Sequence, residues 1–205
     1  MDQDQKYNAM LAIKEEVIAC QKCGLYKTRI LPVVGQGSHD AQIIFIGEAP
    51  GATEDKTGVP FCGRAGQILN LLLDSVGIKR EDVYIANILK DRPPGNREPA
   101  PDEIVACTGY LLKQISIIEP KIIATLGNYA THFILEKFGV PESQLGISRL
   151  RGKRFPIQDE TTKKSYTIIP LYHPAVAIYN SKSLDDLKND FKIIREQLKD
   201  SENKL

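Results

Sequence analysis

The chain has 205 residues, 42% of them hydrophobic, so it can bury a sizeable core within one domain. Its formal net charge of +1 excludes the strongly basic proteins that attract nucleic acid through a global electric field. No apolar run is as long as a membrane span, and the start MDQDQKYNAM is too acidic and polar for a signal peptide. We therefore expect a cytosolic protein without a membrane partner.

The first element in chain order is a predicted helix of about residues 7–19, which leads into the sequence CQKC. Cys20 and Cys23 point towards one atom or one cluster, and the chain has only two other cysteines, Cys62 and Cys107. Under reducing conditions, paired cysteines bind metal or react more often than they form structural disulfides. Their spacing alone leaves a metal site, a disulfide and no special role open.

Four apolar runs rich in β-branched residues predict strands that are buried on both faces. They cover residues 41–47, 82–89, 121–127 and 166–172. Helical patterns alternate with them and cover residues 65–78, 100–118, 128–138 and 183–200. This alternation predicts one α/β domain over residues 1–205, with a parallel sheet between two layers of helices.

Polar residues follow each predicted strand. The sequences are GEAPGATED after the first, Asn87 and KDRPPGNR at the end of the second, LGN after the third and YHPAV after the fourth. Ligands of open α/β sheets bind beyond the carboxyl ends of the strands. The sequence therefore predicts a binding site at this rim.

Several rim residues also have an ordinary structural interpretation. Glu48, Glu54 and Asp55 fit an acidic surface loop, and Phe61 fits a core plug as well as a stacking platform. His39 and His132 are interpreted as structural or exposed, whereas His173 ends a predicted buried strand. Asn87 is the most diagnostic, because a buried amide needs hydrogen bonds and can read a base edge.

The ordered motifs GEAPGATED, PFCGRAGQIL, ANILKDRPPGNREP, TLGN and HPAV, after CxxC, resemble the iron–sulfur (family four) uracil-DNA glycosylases of bacteria and archaea. The resemblance runs from about residue 18 to residue 198. It implies a three-layer α/β/α sandwich with a central four-stranded parallel sheet. It also implies excision of uracil from single- or double-stranded DNA by a monomer that acts at the nucleoid.

The resemblance implies a role for each rim residue. Phe61 would stack on a flipped uracil, Asn87 would bond its N3–H and O4, and His173 would bond O2. Glu48 would orient water and stabilise the sugar cation, so Glu48 and His173 are the catalytic candidates. Glu54 would lie near C5 and exclude the methyl group of thymine. The residues expected to bind uracil are Glu48, Ala49, Pro50, Glu54, Phe61, Asn87 and His173.

A basic patch, RLRGKRF, suits either a solvated turn or contact with phosphates. With the resemblance, contact with DNA is the favoured interpretation, together with aromatic residues near His173. Ile178 or Tyr179 is expected to wedge into the base stack, and Tyr172 beside the histidine is an alternative that would help. The residues expected to contact DNA are Arg149, Arg151, Lys153, Arg154, Tyr172 and Tyr179.

In the resembled family, four cysteines hold a [4Fe–4S] cluster, and Cys20, Cys23 and Cys107 match three of them. The remaining position is Asp91, which departs from the family and makes a set of three thiolates and one carboxylate. Zinc is the alternative metal for such a set. Cys62 adjoins Phe61 and is interpreted as a small residue beside the pocket.

Two other functions compete with this interpretation. A family-five glycosylase also carries a cluster, but its first motif typically lacks the carboxylate that Glu48 supplies. A non-catalytic, metal-stapled DNA-binding module would leave Glu48, Asn87 and His173 without a function. Activity on uracil-containing DNA distinguishes the latter from an enzyme.

Overall fold

The computed structural model describes residues 1–160, 162–180 and 182–202. Its α-helices are α1 Gln3–Ile18, α2 Ala52–Thr57, α3 Arg64–Ser75, α4 Pro101–Ile118, α5 Asn128–Lys137, α6 Ile147–Leu150, α7 Val176–Tyr179 and α8 Lys182–Glu202. Its strands are β1 Gln36–Gly37, β2 Ile43–Gly47, β3 Tyr84–Asn87, β4 Ile122–Leu126, β5 Phe155–Gln158 and β6 Ser165–Leu171. Each of the four predicted strands and five predicted helices corresponds to one of these elements, with ends shifted by a few residues.

The strands form one sheet in the order β1-β3-β2-β4-β6-β5. The inner strands β3, β2, β4 and β6 run parallel, whereas β1 and β5 pair antiparallel at the two edges. The α/β class is confirmed, but the sheet is six-stranded and mixed instead of four-stranded and parallel. The sequence did not predict the two edge strands. The strand β1 has only two residues, and β5 is half exposed and lacks a continuous apolar run.

Successive residues of β2 face opposite sides of the sheet, as the twofold period of a strand requires. Ile44 and Ile46 belong to a core shared with α1, α4 and α5, whereas Ile43 and Phe45 belong to a core shared with α3 and α8. The Phe45 ring stacks on Phe191 of α8 with centroids 5.6 Å apart. The sheet is therefore the middle of three layers. No helix in the described ranges is long and apolar enough to cross a membrane.

The parallel inner strands bring their carboxyl ends to one rim. Gly47 at the end of β2 lies beside Asn87 at the end of β3. The segments that follow remain tied together, because Ile88 donates its N–H to Gly47 O at 3.0 Å and Gly127 donates to Leu171 O at 2.9 Å. The predicted rim therefore exists, and its backbone is held by hydrogen bonds beyond the last strand residues.

Candidate functional site

The floor of the candidate site is the meeting point of Gly47, Phe61 and Asn87. A Cβ added to Gly47 would lie 2.4 Å from Asn87 Oδ1 and 2.7 Å from Phe61 Cζ. Real Cβ atoms do not approach other atoms this closely. Glycine at the end of β2 thus lets an aromatic ring and an amide from two other segments converge on the backbone.

Phe61 is held in an unusual backbone conformation by the residues around it. Its φ is 48°, in the left-handed region that non-glycine residues seldom adopt, and its side chain is buried. Glu54 Oε1 accepts hydrogen bonds from the N–H groups of Cys62 at 3.1 Å and Gly63 at 2.8 Å. A Cβ on Gly66 would lie 1.7 Å from the carbonyl oxygen of Phe61. Glu54 and Gly66 therefore fix the turn that presents the ring.

Asn87 ends β3 and is only 1% exposed. No donor in the described parts of the chain reaches its Oδ1 atom. A buried amide oxygen without a partner costs about 1–3 kcal/mol, so a bound water or ligand is expected to satisfy it. Asn87 Oδ1 and the Phe61 ring meet at the same point above Gly47, which suits an amide that binds the edge of a flat ring lying on that phenyl group.

His173 follows β6 and lies beside the phenyl ring, with the two ring centroids 5.6 Å apart. Burial lowers the pKa of His173 to about 4, and nearby Glu54 only partly opposes this effect. The imidazole is therefore neutral at pH 7. Its Nδ1 accepts a hydrogen bond from the N–H of Ala175 at 3.1 Å. In a neutral ring this leaves the proton on Nε2, which is thus a donor.

Glu48 follows β2 directly and is half-buried. Its backbone is fixed because Leu89 donates an N–H to Glu48 O at 3.0 Å. Burial raises the pKa of the Glu48 carboxyl, and Glu98 raises it further. No side-chain hydrogen bond or ion pair occupies this carboxylate within the described residues. By contrast, Asp55 is buried and its carboxylate accepts a hydrogen bond from the N–H of Ile30 at 3.0 Å. Asp55 therefore holds the segment at residue 30 against α2 and does not face the rim as a free carboxylate.

Ala49 and Pro50 continue from Glu48 towards α2. Ala49 is half-buried and packs against the core that contains α1, α4 and α5, and Pro50 is buried. Both residues therefore lie directly after the rim residue Glu48, with side chains that are mostly covered by the protein.

Two of the four predicted DNA-binding cations pair with acidic residues of α8. Arg151 lies 3.0 Å from Asp190 and its guanidinium sits 4.8 Å from the centroid of Tyr172. Arg154 lies 3.0 Å from Glu196. These ion pairs attach the basic segment to α8, so the charges of Arg151 and Arg154 are largely balanced within the protein.

The other candidates are more available. Arg149 and Lys153 are exposed and have no carboxylate partner among the described residues. Tyr179, at the end of α7, is 82% exposed, whereas Ile178 and Tyr172 are half-buried. An aromatic side chain this exposed beside the rim is the one best placed to contact another molecule.

Three of the four cysteines come together beneath the rim. Burial raises the pKa of Cys107 to about 11, and Cys23 and Asp91 lie close enough to raise it further. Burial also raises the pKa of Cys23, and Asp91 and Cys20 act in the same direction. Cys62 lies instead in the Phe61 turn. Within the described residues, however, no group of three or more His, Cys, Asp or Glu is arranged to hold a single metal ion.

Asp91 lies close enough to Cys23 and Cys107 to raise the pKa of both thiols, and it has a partner that the sequence did not indicate. Arg29 Nη1 lies 3.1 Å from Asp91 Oδ1 and 2.9 Å from Asp91 Oδ2. Nothing in the local sequence around residue 29 signals this pair, because the partners are separated by 62 positions.

Lys90 is a second residue that sequence reasoning missed. It is 2% exposed, and its Nζ donates to Asn87 O at 3.1 Å and to Gln114 Oε1 at 2.8 Å. Gln114 in turn donates to Tyr84 OH at 3.1 Å. Burial lowers the pKa of Lys90 to about 7, and negative charge on Cys107 would oppose this shift. This buried network joins the cysteine site to the backbone of Asn87.

Comparison with known proteins supports the resemblance seen in the motifs. A sequence profile described as the Uracil DNA glycosylase superfamily matches residues 34–199. The Type-4 uracil-DNA glycosylase of Sulfurisphaera tokodaii is 47% identical over 185 residues, which is 90% of this chain and 82% of that protein. That of Archaeoglobus fulgidus is 43% identical over 184 residues, 90% of each chain. The Type-5 uracil-DNA glycosylase of Thermus thermophilus is 32% identical over only 55% of this chain.

The pocket floor predicts the effect of adding one methyl group. Gly47→Ala should lower the free energy of unfolding by about 1–3 kcal/mol, because Phe61 and Asn87 must both move. Urea denaturation measures the change. Gly109→Ala is the matched control, because a Cβ there meets nothing within 4 Å. Equal stability of the two variants would contradict a tightly packed floor.

The depressed pKa of His173 predicts a dependence of stability on pH. In the unfolded chain His173 binds a proton near pH 6.5, whereas in the folded protein its pKa is about 4. The unfolded state therefore binds more protons between these values, so the free energy of unfolding falls as the pH drops from 6.5 towards 4. His173→Gln should remove about 1–3 kcal/mol of that loss. Urea denaturation of both proteins at pH 7 and 4.5 measures it. The same acid-induced loss in both proteins would show that His173 is not buried in its neutral form.

Proposed function

Because the chain belongs to the uracil-DNA glycosylase superfamily, we propose that it removes uracil from DNA by hydrolysis and leaves an abasic site. The observation that best supports this function is the buried, unpartnered Oδ1 of Asn87 beside the Phe61 ring. A flat ring with an N–H group would satisfy that oxygen. A base within a duplex cannot reach such a floor, so the nucleotide must first be flipped out.

Recognition of uracil follows from the two hydrogen-bonding groups of one amide. Asn87 Oδ1 would accept from N3–H of uracil while its Nδ2 donates to O4, and Phe61 would stack on the ring. Cytosine lacks the N3 proton and carries a donor at position 4, so it would leave the buried amide unpaired. Ala49 and Pro50 would line the pocket, and Glu54 would lie beside C5 and exclude a methyl group there.

The chemistry divides between His173 and Glu48. When the N-glycosidic bond breaks, its electron pair stays on uracil and a cationic centre forms on the sugar. The Nε2–H donor of neutral His173 would stabilise charge on O2 without having to give up its proton. Ionised Glu48 would stabilise the sugar cation and orient the water whose oxygen bonds to the sugar carbon. The proton that water releases neutralises the uracil anion.

Contact with the phosphates is assigned first to Arg149 and Lys153, whose charges have no partner in the described chain. Arg151 and Arg154 would contribute mainly by holding this segment against α8. Exposed Tyr179 is the proposed wedge that fills the space left by the flipped base, and Tyr172 would support the segment before it. We propose that the protein acts as a monomer on single- or double-stranded DNA at the nucleoid.

The chain also has a donor set that fits an iron–sulfur cluster. Cys20, Cys23 and Cys107 would hold a [4Fe–4S] cluster, which would tie α1 and the CQKC segment to the core. A cluster is wider than one ion, so its ligands need not converge on a point as zinc ligands do. Buried Lys90 is consistent with the assignment, because the charge of a Cys107 thiolate would oppose the burial that lowers the pKa of Lys90. The raised pKa values mean that binding must release protons from Cys23 and Cys107.

Activity on defined oligonucleotides tests the proposed function. The wild-type protein should excise uracil opposite guanine and from single strands, and should leave thymine and cytosine. Asn87→Ala should slow single-turnover excision by about tenfold or more, because about 1–3 kcal/mol of recognition is lost. Asn8→Ala, on the exposed side of α1, is the control. A wild type that binds DNA without releasing any base would instead indicate a DNA-binding module.

Metal analysis of protein purified without oxygen tests the cofactor. About four irons per chain, with matching sulfide, are expected for the wild type. Cys107→Ser should lose most of the iron and unfold at lower urea concentration, because the metal no longer closes the site. Cys62→Ser should keep its iron. Stoichiometric zinc in the wild type would show that the cofactor has been misassigned.

A further inference from the structure

Asp91 occupies the position at which the resembled family has its remaining cluster ligand, yet its carboxylate is already engaged. We propose that Asp91 is the fixed ion-pair partner of Arg29 and does not ligate the cluster. The protein would then contribute only three thiolates to the cluster. The buried ion pair, in place of a fourth cluster ligand, would connect α1 to the segment after β3. The part that concerns iron rests on the proposed cofactor; the ion pair does not.

The geometry of the pair is that of a strong and specific contact. Both oxygens of Asp91 accept from Arg29 Nη1, at 3.1 and 2.9 Å. The side chains are only 13% and 5% exposed, so water screens them little. Turning the carboxylate towards an iron would remove these contacts. It would leave the Arg29 guanidinium almost buried with no negative partner, which is strongly unfavourable.

Arg29 also closes the end of the first helix. Its Nη2 donates to Ile18 O at 2.6 Å, and its Nη1 lies 3.5 Å from Val17 O. The last carbonyl groups of a helix lack partners within the helix and carry a partial negative charge, which a guanidinium satisfies. Arg29 therefore joins α1 to the segment after β3 through Asp91.

The pair and the cysteines connect the same parts of the chain. Cys20 and Cys23 follow α1, and Asp91 follows β3, while Cys107 lies in α4. The α1 helix packs into the core through Met10, Ile13 and Val17. Its attachment at the carboxyl end would thus have two parallel components, one ionic through Arg29 and one metallic through the thiolates.

A double-mutant cycle tests the ion pair in the protein as purified without oxygen. Arg29→Met, Asp91→Asn and the double variant are compared with the wild type by urea denaturation. Each single change should lower the midpoint by about 1 M, because it leaves a buried charge or dipole unpaired. The double variant should lose clearly less than the sum of the two. Glu81→Gln, in the exposed pair with Lys79, is the control and should be neutral.

Iron and sulfide content of the same four proteins decides whether Asp91 is a ligand. Asp91→Asn should keep the iron content of the wild type. A chelator should remove iron from Asp91→Asn no faster than from Arg29→Met. Loss of iron in Asp91→Asn alone would assign the carboxylate to the cluster and overturn the proposal. Additive midpoint shifts in the cycle would also overturn it.

The two proposals fail in different ways. If the wild type contains no iron but the cycle shows coupling, the cofactor is wrong and the ion pair stands. If the wild type contains iron but Arg29 and Asp91 are not coupled, the cofactor stands and the ion pair does not join α1 to the core.

Discussion

The candidate site depends on the close approach that Gly47 permits at the end of β2. Without a Cβ there, Phe61 and Asn87 reach the same patch of backbone from different segments. The other features of the rim support this contact: Glu54 binds the amides of the turn after Phe61, and Lys90 donates to the carbonyl of Asn87. Backbone contacts therefore fix the positions of the pocket residues, and these positions determine where the Phe61 and Asn87 side chains lie.

Burial sets the charges of the two catalytic candidates in a complementary way. It lowers the pKa of His173, which keeps the imidazole neutral. It also leaves the Glu48 carboxylate poorly solvated, which raises the pKa of Glu48 and makes its charge interact more strongly with a nearby cation. A neutral donor and a poorly solvated carboxylate at one rim suit the charge separation of the glycosidic cleavage that we propose. Burial thus favours both the neutral form of His173 and the strong electrostatic interaction of Glu48 that the proposed mechanism requires.

The region beneath the rim is more polar than a hydrophobic core usually is. It contains the Arg29–Asp91 pair, buried Lys90 and three cysteines. Hydrogen bonds hold the two charged side chains in place, but burial still lowers the pKa of Lys90 and raises that of Asp91. Through Lys90 the cysteine region touches the backbone of Asn87.

The sequence by itself determined the α/β class, the four inner strands and the rim, because continuous apolar runs and the carboxyl ends of parallel strands follow from local pattern and topology. It also singled out Asn87, Phe61 and His173. Only the tertiary structure decided which charges are free: Arg151 and Arg154 pair with α8, Asp91 pairs with Arg29, and Lys90 is buried. The two edge strands likewise appeared only there. Ion pairs between residues far apart in sequence leave no periodic signal, because their energy depends on distance and burial, and the folded chain alone sets both.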